Sequence, residues 1–585
     1  MADRSPAASV YASARRAAGR VARRLGFRRP APAPPARPAR TDPPAPRPAS
    51  RVDLISTREI VGVLEAGRDA APQRLTLFVN ELAVDHVDVA PAGEAPAAFR
   101  FRTRDMWHYC GPKDRITVRR GSDPLPMPDG SPHHSPTAKA KRPLSELEER
   151  LAAGEIINSR GNLSLPKYLD ATWQQSVTRL YGEVDQAVHE IIGHHPFLVY
   201  GSLLGAVREG RPLGHDHDFD TAYLSAHTDP EEVAAEAGRL ALALQERGFS
   251  VEARATCIHI ADAGLTERID LYHFFFNDSD ELRLAWGSVS DIPFRKDQWA
   301  GLEQIQFAGA TVFAPRNAEA LVAHLYGPNW RVPNPGFSWE RERGTRAKEA
   351  AFPAALRPVI NWQDHWLHHA FDAPTSFAHC VDGLQLAPGL VVDLGCGDGR
   401  DVPRFVRSGA RVLGLDYTPA AVESARRRGL AQDRASFERC DLAAPGALRE
   451  QLDALPQPLP RTLFYARHLL DSISDAARAT LLAELEALAR PGDMIAVEFR
   501  ALGDDTLHYH ERLNCGRRVV DPSPIRDWLA GAGFETVVDL GGSGWEKAGS
   551  KPVLLHRFVA VKPTAGSSPD RPSRISSVTE HGGGR

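Results

Sequence analysis

Apolar and polar positions change their period along the chain, and each change marks a segment. From Arg51 to about Pro143 apolar residues fall at every second position. "RLTLFVNELAVDHVDV" alternates on both sides of an Asn-Glu turn, and "AFRFRTRDMWHY" and "DRITVRR" add further strands. Residues 51–143 are therefore expected to form a small β-sandwich-like accessory module without chemistry of its own. "MPDGSPHHSPTAKAKRP" reads as a linker, with His133 and His134 as loop residues.

From about Leu144 to Phe352 the period is mixed. "YLDATWQQSVTRLYGEVDQAVHEIIGHH" keeps a helical repeat. "DPEEVAAEAGRLALALQERGF" is an amphipathic helix with Asp229 as N-cap and Gly248 as stop. "PFLVYGS" reads as a strand ending in a turn, and "RIDLYHFFF" as another strand. From about Pro353 to Lys562 strand and helix patterns alternate as in a doubly wound sheet. The flanks differ: residues 1–50 end in the proline-rich "PAPAPPARPARTDPPAPRPAS", and residues 563–585 lack the apolar content of a packed core.

Within the first flank, "SVYASARRAAGRVARRLGFRR" sets Val10, Ala14, Val21 and Leu25 at helical spacing among arginines. Three readings stay open. Residues 7–29 are a basic amphipathic helix for an anionic membrane, an arginine-rich transit peptide, or a disordered tail.

The chain has 585 residues, which implies about three or four domains. A net charge of −3 gives no basic surface for nucleic acid, and 42% hydrophobic residues suffice for ordinary cores. Apolar runs such as Phe274–Phe276 and Leu390–Val392 are far too short to span a bilayer. The six cysteines contain no Cys-x-x-Cys pair, so neither a zinc ribbon nor a disulfide framework is indicated, and a reducing cytoplasm fits.

Candidate chemistry concentrates in two places. The first is "YGSLLGAVREGRPLGHDHDFDTAYL", Tyr200 to Leu224. Read as a strand, its end puts Asp216, Asp218 and Asp220 on one face, with His217 and Phe219 on the other. Carboxylates side by side repel unless a cation stands among them. Asp270, at the start of "RIDLYHFFF", offers a further carboxylate from a neighbouring strand. Hard cations such as Mg²⁺ or Mn²⁺ take oxygen ligands and bridge phosphate oxygens. Gly201 permits close backbone approach to a phosphate, and Ser202 offers a hydroxyl donor.

These residues, with "LVAHLYGPNWRVPNP" later in the chain, resemble the LicD/fukutin family of nucleotidyltransferase-fold enzymes. The resemblance implies a central α+β nucleotidyltransferase-fold domain over 144–352. It also implies transfer of a phospho-substituent (phosphocholine or a phospho-alditol) from a CDP-linked donor to a glycan hydroxyl. Carried over, Asp218 and Asp220 are the metal-binding pair, and Asp270 is a third ligand or the base for the acceptor proton. Gly201, Ser202 and Arg208 hold the donor phosphates. The family commonly reads Trp-Asp-Asp-Asp-x-Asp where this chain reads His215-Asp216-His217-Asp218-Phe219-Asp220, which bears on donor or acceptor preference.

The second place is "GLVVDLGCGDGRDVPRFVRSGARVLGLDYTPAAVESARRRG". An apolar strand, Leu390 to Leu394, runs into Gly395, Gly397 and Gly399, and a second strand ends in Asp416, placed for ribose hydroxyls. The Gly-x-Gly-x-Gly after Asp393 resembles class I S-adenosylmethionine-dependent methyltransferases. That resemblance implies a Rossmann-like domain over 353–562, S-adenosylmethionine as cofactor, and Asp441 near the adenine. Arg467, His468, Asp471, His508, His510 and Arg512 are candidates for acceptor contact, with His468 as base. The arginines at 467, 500, 512, 517 and 518 suit a phosphorylated or acidic acceptor.

Together the two resemblances imply a two-headed glycan-modifying enzyme that attaches a phospho-substituent to a lipid-linked or polymeric envelope glycan and methylates the product. The expected place is the cytoplasm, with residues 7–29 as a peripheral contact to the inner membrane face. Two alternatives stand: a nucleotidylyltransferase that releases pyrophosphate, and an idle glycan-binding module beside an active methyltransferase.

Overall fold

The computed structural model describes residues 50–564 apart from 66–71, 90–95, 217, 263–266, 285–286, 334–336, 338–351, 353–354, 432, 504–516 and 549–550. The expected helix at 7–29, the proline-rich linker, the tail beyond 564 and His217 lie outside the described residues, as do His508, His510 and Arg512.

Seven strands open the described chain: β1 (Arg51–Ile55), β2 (Glu59–Leu64), β3 (Gln73–Val79), β4 (Leu82–Val89), β5 (Ala97–Arg102), β6 (Ile116–Arg120) and β7 (Asp123–Pro124). They form two sheets, β1-β2-β5 and β4-β3-β6-β7, around one core. Alternation puts Ile60, Leu75, Leu77, Phe99 and Phe101 inside, while Arg100 and Arg102 turn outward to Glu59. Asn80 makes the expected turn at φ 56°. The core runs further than the change of period at Pro143. Helix α1 (Leu144–Ala152) and the hairpin β8 (Ile156–Ile157)–β9 (Leu163–Ser164) add Leu147, Ile157 and Leu163 to it. Leu144, Leu147 and Leu151 share one helical stripe, and it faces back toward the sandwich.

The central region holds helix α2 (Ala171–Ile192), strand β10 (Phe197–Leu198), helix α3 (Tyr200–Glu209), strand β11 (Asp220–Leu224) and helix α4 (Pro230–Glu246). Strands β12 (Ser250–Ala253), β13 (Cys257–Ala261), β14 (Arg268–Phe276), β15 (Leu282–Leu284), β16 (Leu302–Phe307) and β17 (Ala310–Pro315) follow, then helix α5 (Ala318–Tyr326). Among the described residues the sheet order is β12-β13-β14-β11-β10-β17-β16, with β15 beside β14. The caps are as the sequence predicts: Asp229 accepts from the Glu231 and Glu232 amides, and Gly248 takes φ 93°.

One expectation is corrected here. The aspartate strand begins only at Asp220, whose partner across β14 is Asp270. Asp216 and Asp218 lie on the irregular lead-in, where the Asp216 amide closes a turn onto the Leu213 carbonyl. Phe219 still accepts the Asp270 amide at its carbonyl, at 3.0 Å, but the turn at Leu213–Asp216 keeps the earlier residues out of the ladder.

Helix α6 (Leu356–His368) joins the central region to the C-terminal one. Ile360 belongs to the central core, and Phe352 does too, so that core continues beyond residue 352. Beyond α6 come helix α7 (Ser376–Gly383), β18 (Leu390–Leu394), α8 (Val402–Arg407), β19 (Arg411–Asp416), α9 (Pro419–Arg426), β20 (Ala435–Arg439), α10 (Ala447–Asp453), β21 (Thr462–Arg467), α11 (Asp475–Leu488), β22 (Met494–Arg500), α12 (Pro522–Gly531), β23 (Glu535–Ala548) and β24 (Lys551–Val561). The sheet order is β20-β19-β18-β21-β22-β24-β23. Its first five strands are parallel and β24 is antiparallel to both neighbours. The order reverses between β18 and β21, where a doubly wound sheet opens its ligand crevice. Among the described residues no helix is long and apolar enough to cross a membrane, and Cys110, Cys257, Cys380, Cys396 and Cys440 are free.

Candidate active sites

Strand β10 delivers the chain to Tyr200, held at φ 44°, and α3 starts there. The turn faces the start of β11. The Gly201 amide donates to Asp220 Oδ2 at 3.0 Å, and the Ser202 hydroxyl accepts the Asp220 amide at 2.9 Å. Ser202 thus ties the turn to the aspartate strand. A Cβ at Gly201 would come within 2.4 Å of Asp216 Oδ2 and 3.1 Å of Asp220 Oδ2. Arg208 lies further along α3 and reaches Glu209 at 3.0 Å and the Trp330 carbonyl at 3.5 Å.

Asp216, Asp218, Asp220 and Asp270 therefore converge, although only two of them sit on strands. Burial raises the Asp220 pKa well above the ordinary range, and the charges of Asp216, Asp270 and Asp218 push it further. Asp270 is likewise raised by burial, against His259 and Arg268. Such a set of crowded oxygen donors, lined by a glycine whose side chain would obstruct it, fits a hard divalent cation.

The neighbourhood also contains residues that the motif reading missed. Arg268 Nε is 3.1 Å from Asp270 Oδ1, and Arg160 Nη2 is 3.4 Å from Asp218 Oδ1. Arg160 comes from the β8–β9 turn, in the hairpin that packs on the N-terminal core. On β13, His259 lies 3.5 Å from Asp270 on one side and 3.5 Å from Glu252 on the other. Ligand atoms of Cys257, His259 and Asp270 lie within 4.8 Å of one another. The only local signal for His259 is a polar residue between Ile258 and Ile260.

In the C-terminal sheet, Gly395, Gly397 and Gly399 carry φ of 72°, 55° and 69°, as the tight turn after β18 requires. The Gly397 amide donates to Asp416 Oδ2 at 3.1 Å, and Thr418 donates to Oδ1 through its amide and hydroxyl. Asp393 is only 4% exposed; burial first, then the charges of Asp401, Asp416 and Asp398, raise its pKa. Asp441 is exposed just past β20, next to Cys440, whose amide bonds the Asp416 carbonyl at 2.9 Å. A narrow glycine turn beside a buried carboxylate at the switch point fits a nucleoside cofactor.

Family comparison separates the two places. Residues 193–317 match the model of the LicD/FKTN/FKRP nucleotidyltransferase domain, and residues 391–492 match that of a methyltransferase domain. The chain carries a LicD domain and a methyltransferase domain. No curated protein matches it. Among solved structures, a SAM-dependent methyltransferase from Anabaena variabilis is 18% identical, covering 35% of this chain and 93% of its own, with a TM-score of 0.29. Magnesium protoporphyrin IX methyltransferase from Synechocystis PCC 6803, with bound SAH, is 17% identical, covering 38% of this chain and 92% of its own, with a TM-score of 0.25. The glycopeptide N-methyltransferase MtfA is 17% identical, covering 33% and 97%, with a TM-score of 0.25.

At the crevice of the methyltransferase domain, His468 follows β21 at φ 56°. Its Nδ1 is 3.1 Å from Asp471 and its Nε2 is 2.7 Å from Glu546. Burial opposes a charge on the ring, but the two carboxylates outweigh it and raise the pKa. With a carboxylate at each ring nitrogen, both nitrogens of the expected base are placed as donors, an arrangement that favours the imidazolium. Arg467 bonds Glu498 at 3.0 Å and Glu546 at 2.7 Å, and Arg557 bonds the other oxygen of Glu498 at 2.6 Å. Arg500 is fully buried 3.9 Å from Asp471, so it does not face an acceptor directly. His468, Glu498 and Glu546 have the spacing of a metal cluster, but Arg467 and Arg557 already supply the cations.

Proposed function

We propose that the chain is a bifunctional glycan-modifying enzyme. The LicD domain transfers a phospho-substituent, of phosphocholine or phospho-alditol type, from a CDP-linked donor to an envelope glycan. The methyltransferase domain then methylates the substituent, the glycan or the phosphate. The observation that carries this reading is the convergence of Asp216, Asp218, Asp220 and Asp270 beside the Gly201-Ser202 turn.

In this reading the central domain has the nucleotidyltransferase fold. Asp218, Asp220 and Asp270 would hold Mg²⁺ or Mn²⁺, with Asp216 beside them. Such a cation, when bound, would offset the negative charge of the donor phosphates. Gly201 and Arg208 orient the donor phosphates, while Ser202 holds the turn against β11. Asp270 receives the proton of the acceptor hydroxyl, with His259 and Arg268 fixing its carboxylate. In the second domain Gly395, Gly397, Gly399, Asp416 and Asp441 would bind S-adenosylmethionine, which supplies an electrophilic methyl group, and Asp393 supports the turn. Catalysis there is chiefly positioning. The work would take place on the cytoplasmic side, near lipid-linked glycans.

A second reading is favoured by one observation: Arg160 and Arg268 both approach Asp218, at 3.4 and 3.6 Å. Cations from the chain itself suit an idle module that only presents a glycan. Mass spectrometry of phosphorylated glycans decides between the two. A null strain is complemented with Asp218→Ala/Asp220→Ala or with Gly395→Arg/Gly397→Arg. The bifunctional reading expects the first to lack a whole phospho-substituent and the second to lack only a methyl group. If the aspartate variant keeps its phosphate, the LicD domain is a binding module.

A further inference from the structure

Glu546 reaches His468 from an unusual place. It lies on β23, the edge strand, which is separated from β21 by β24 and β22. The pairing of β23 with β24 is irregular between Ser543 and Lys547, and Gly544 there takes φ 93°. Such a bulge re-aims side chains that regular pairing would leave on the strand face. Trp545 is turned onto the Arg557 guanidinium, 4.1 Å away, and Glu546 meets Arg467 Nη2 and His468 Nε2, each at 2.7 Å.

These two donors stand at the carboxyl end of β21, beside the point where strand order reverses. Ligands of doubly wound sheets sit there. The other carboxylates at the site already have cations of their own. Glu498 takes Arg467 and Arg557, while Asp471 takes His468 and lies near Arg500. Arg517 also faces the site: its charge acts on both Asp471 and Glu546, and its Nε is buried without a hydrogen-bond partner. It lies 5.2 Å over the Trp362 ring. Arg467 and His468 both meet one oxygen of Glu546, Oε2, and Arg517 Nε stays unmet. A phosphate offers three oxygens, one for each of the three donors.

We infer that Arg467, His468 and Arg517 form the subsite for a phosphate group on the methyl acceptor, and that Glu546 is an intrachain placeholder which this phosphate displaces. The inference rests on the methyltransferase reading and narrows its acceptor class to phosphate esters. It also assigns His468 to acceptor binding: as an imidazolium it donates to the phosphate, and proton removal is not its task. The bulge lets Glu546 swing away without disturbing the paired part of β23.

The test is calorimetric titration of the full chain with inorganic phosphate, and separately with acetate, in EDTA so that no cation draws anions to the aspartate cluster. Glu546→Gln keeps the side chain's shape and removes its charge; Glu546→Ala removes both. Both variants are expected to bind phosphate at least tenfold more tightly than the parent, and acetate more weakly than phosphate. Adding Arg467→Met to Glu546→Gln is expected to abolish the gain. A gain absent from both variants overturns the inference, as does one that survives Arg467→Met. Equal binding of acetate and phosphate overturns the phosphate assignment. S-adenosylmethionine binding is measured on the same samples: its absence from the parent chain counts against the methyltransferase reading, whatever phosphate does.

Discussion

The Trp366 indole lies against the backbone of Gly397, so close that a Cβ at the glycine would fall 2.4 Å from its ring. Trp366 belongs to α6, the helix that joins the two domains, while Gly397 is the middle glycine of the cofactor turn. The contact makes the connecting helix one wall of the cofactor crevice. Trp366→Ala is expected to weaken S-adenosylmethionine binding about tenfold, from the loss of about 1–2 kcal/mol of aromatic contact. Gly397→Ala is expected to abolish binding, because φ 55° and the ring exclude a side chain together. Calorimetry with the cofactor checks both, and unchanged affinity in Trp366→Ala would show that the indole is not part of the wall.

The opposite side of α6 is bonded to the edge of the LicD-domain sheet. Asn361 Oδ1 accepts the Ala253 amide at 2.7 Å and its Nδ2 donates to the Ala253 carbonyl at 3.1 Å. Asp364 accepts the Val251 amide at 2.6 Å, and Gln245 donates to the Ile360 carbonyl at 2.9 Å. Toward the methyltransferase domain, Gln363 accepts the Ala420 amide at 3.0 Å. Asn361 completes an open strand edge with a side-chain amide. Asn361→Ala strands two buried backbone groups of β12, so a loss of about 1–3 kcal/mol is expected. The melt should then separate into two transitions in scanning calorimetry as the domains uncouple. A single transition at the parental temperature would mean that α6 does not hold the domains together.

The same helix carries a pH dependence. Burial first, then the neighbouring charges of His369 and Arg517, lower the His365 pKa to about 4. In the unfolded chain it titrates near 6.5. Above that pH the ring is neutral in both states and contributes nothing. As pH falls below it, the unfolded chain takes up a proton that the folded one refuses, so stability is lost down to about pH 4. The loss is about 2 kcal/mol once partial exposure is allowed for. His365→Gln should show a smaller drop in melting temperature between pH 7 and pH 5 than the parent chain. Parallel pH profiles for the two would remove His365 as the cause.

What was legible in advance follows from the range of each signal. Asp229 and Gly248 bound α4, and Gly395 to Asp416 mark the cofactor turn, because caps and tight turns are set by residues a few positions apart. The D-H-D-F-D run misled for a related reason. Alternation is local, but the turn at Leu213–Asp216 takes the run out of line, and the ladder to β14 is in register only from Asp220 opposite Asp270. Arg160 and Glu546 had no local signal at all. Arg160 reaches Asp218 across 58 positions and Glu546 reaches His468 across 78. Arg467 and Arg500 find carboxylates in Glu498, Glu546 and Asp471, pairings that the local sequence does not announce.

The aspartate cluster should be strained when no cation is present. Asp220 is buried, and Asp216, Asp270 and Asp218 all disfavour its charge, with the Gly201 amide opposing them. Asp220→Asn keeps an oxygen for that amide and removes a buried charge. In metal-free buffer the variant is therefore expected to be at least as stable as the parent, and more stable by about 1–2 kcal/mol if repulsion dominates. Added Mn²⁺ should raise the melting temperature of the parent and leave that of Asp220→Asn unchanged. Arg160→Met, which removes a competing cation from Asp218, should bind Mn²⁺ more tightly than the parent. The opposite pattern, with Asp220→Asn less stable in EDTA and the parent indifferent to Mn²⁺, would mark the carboxylates as structural partners of Arg160 and Arg268 rather than as a metal site.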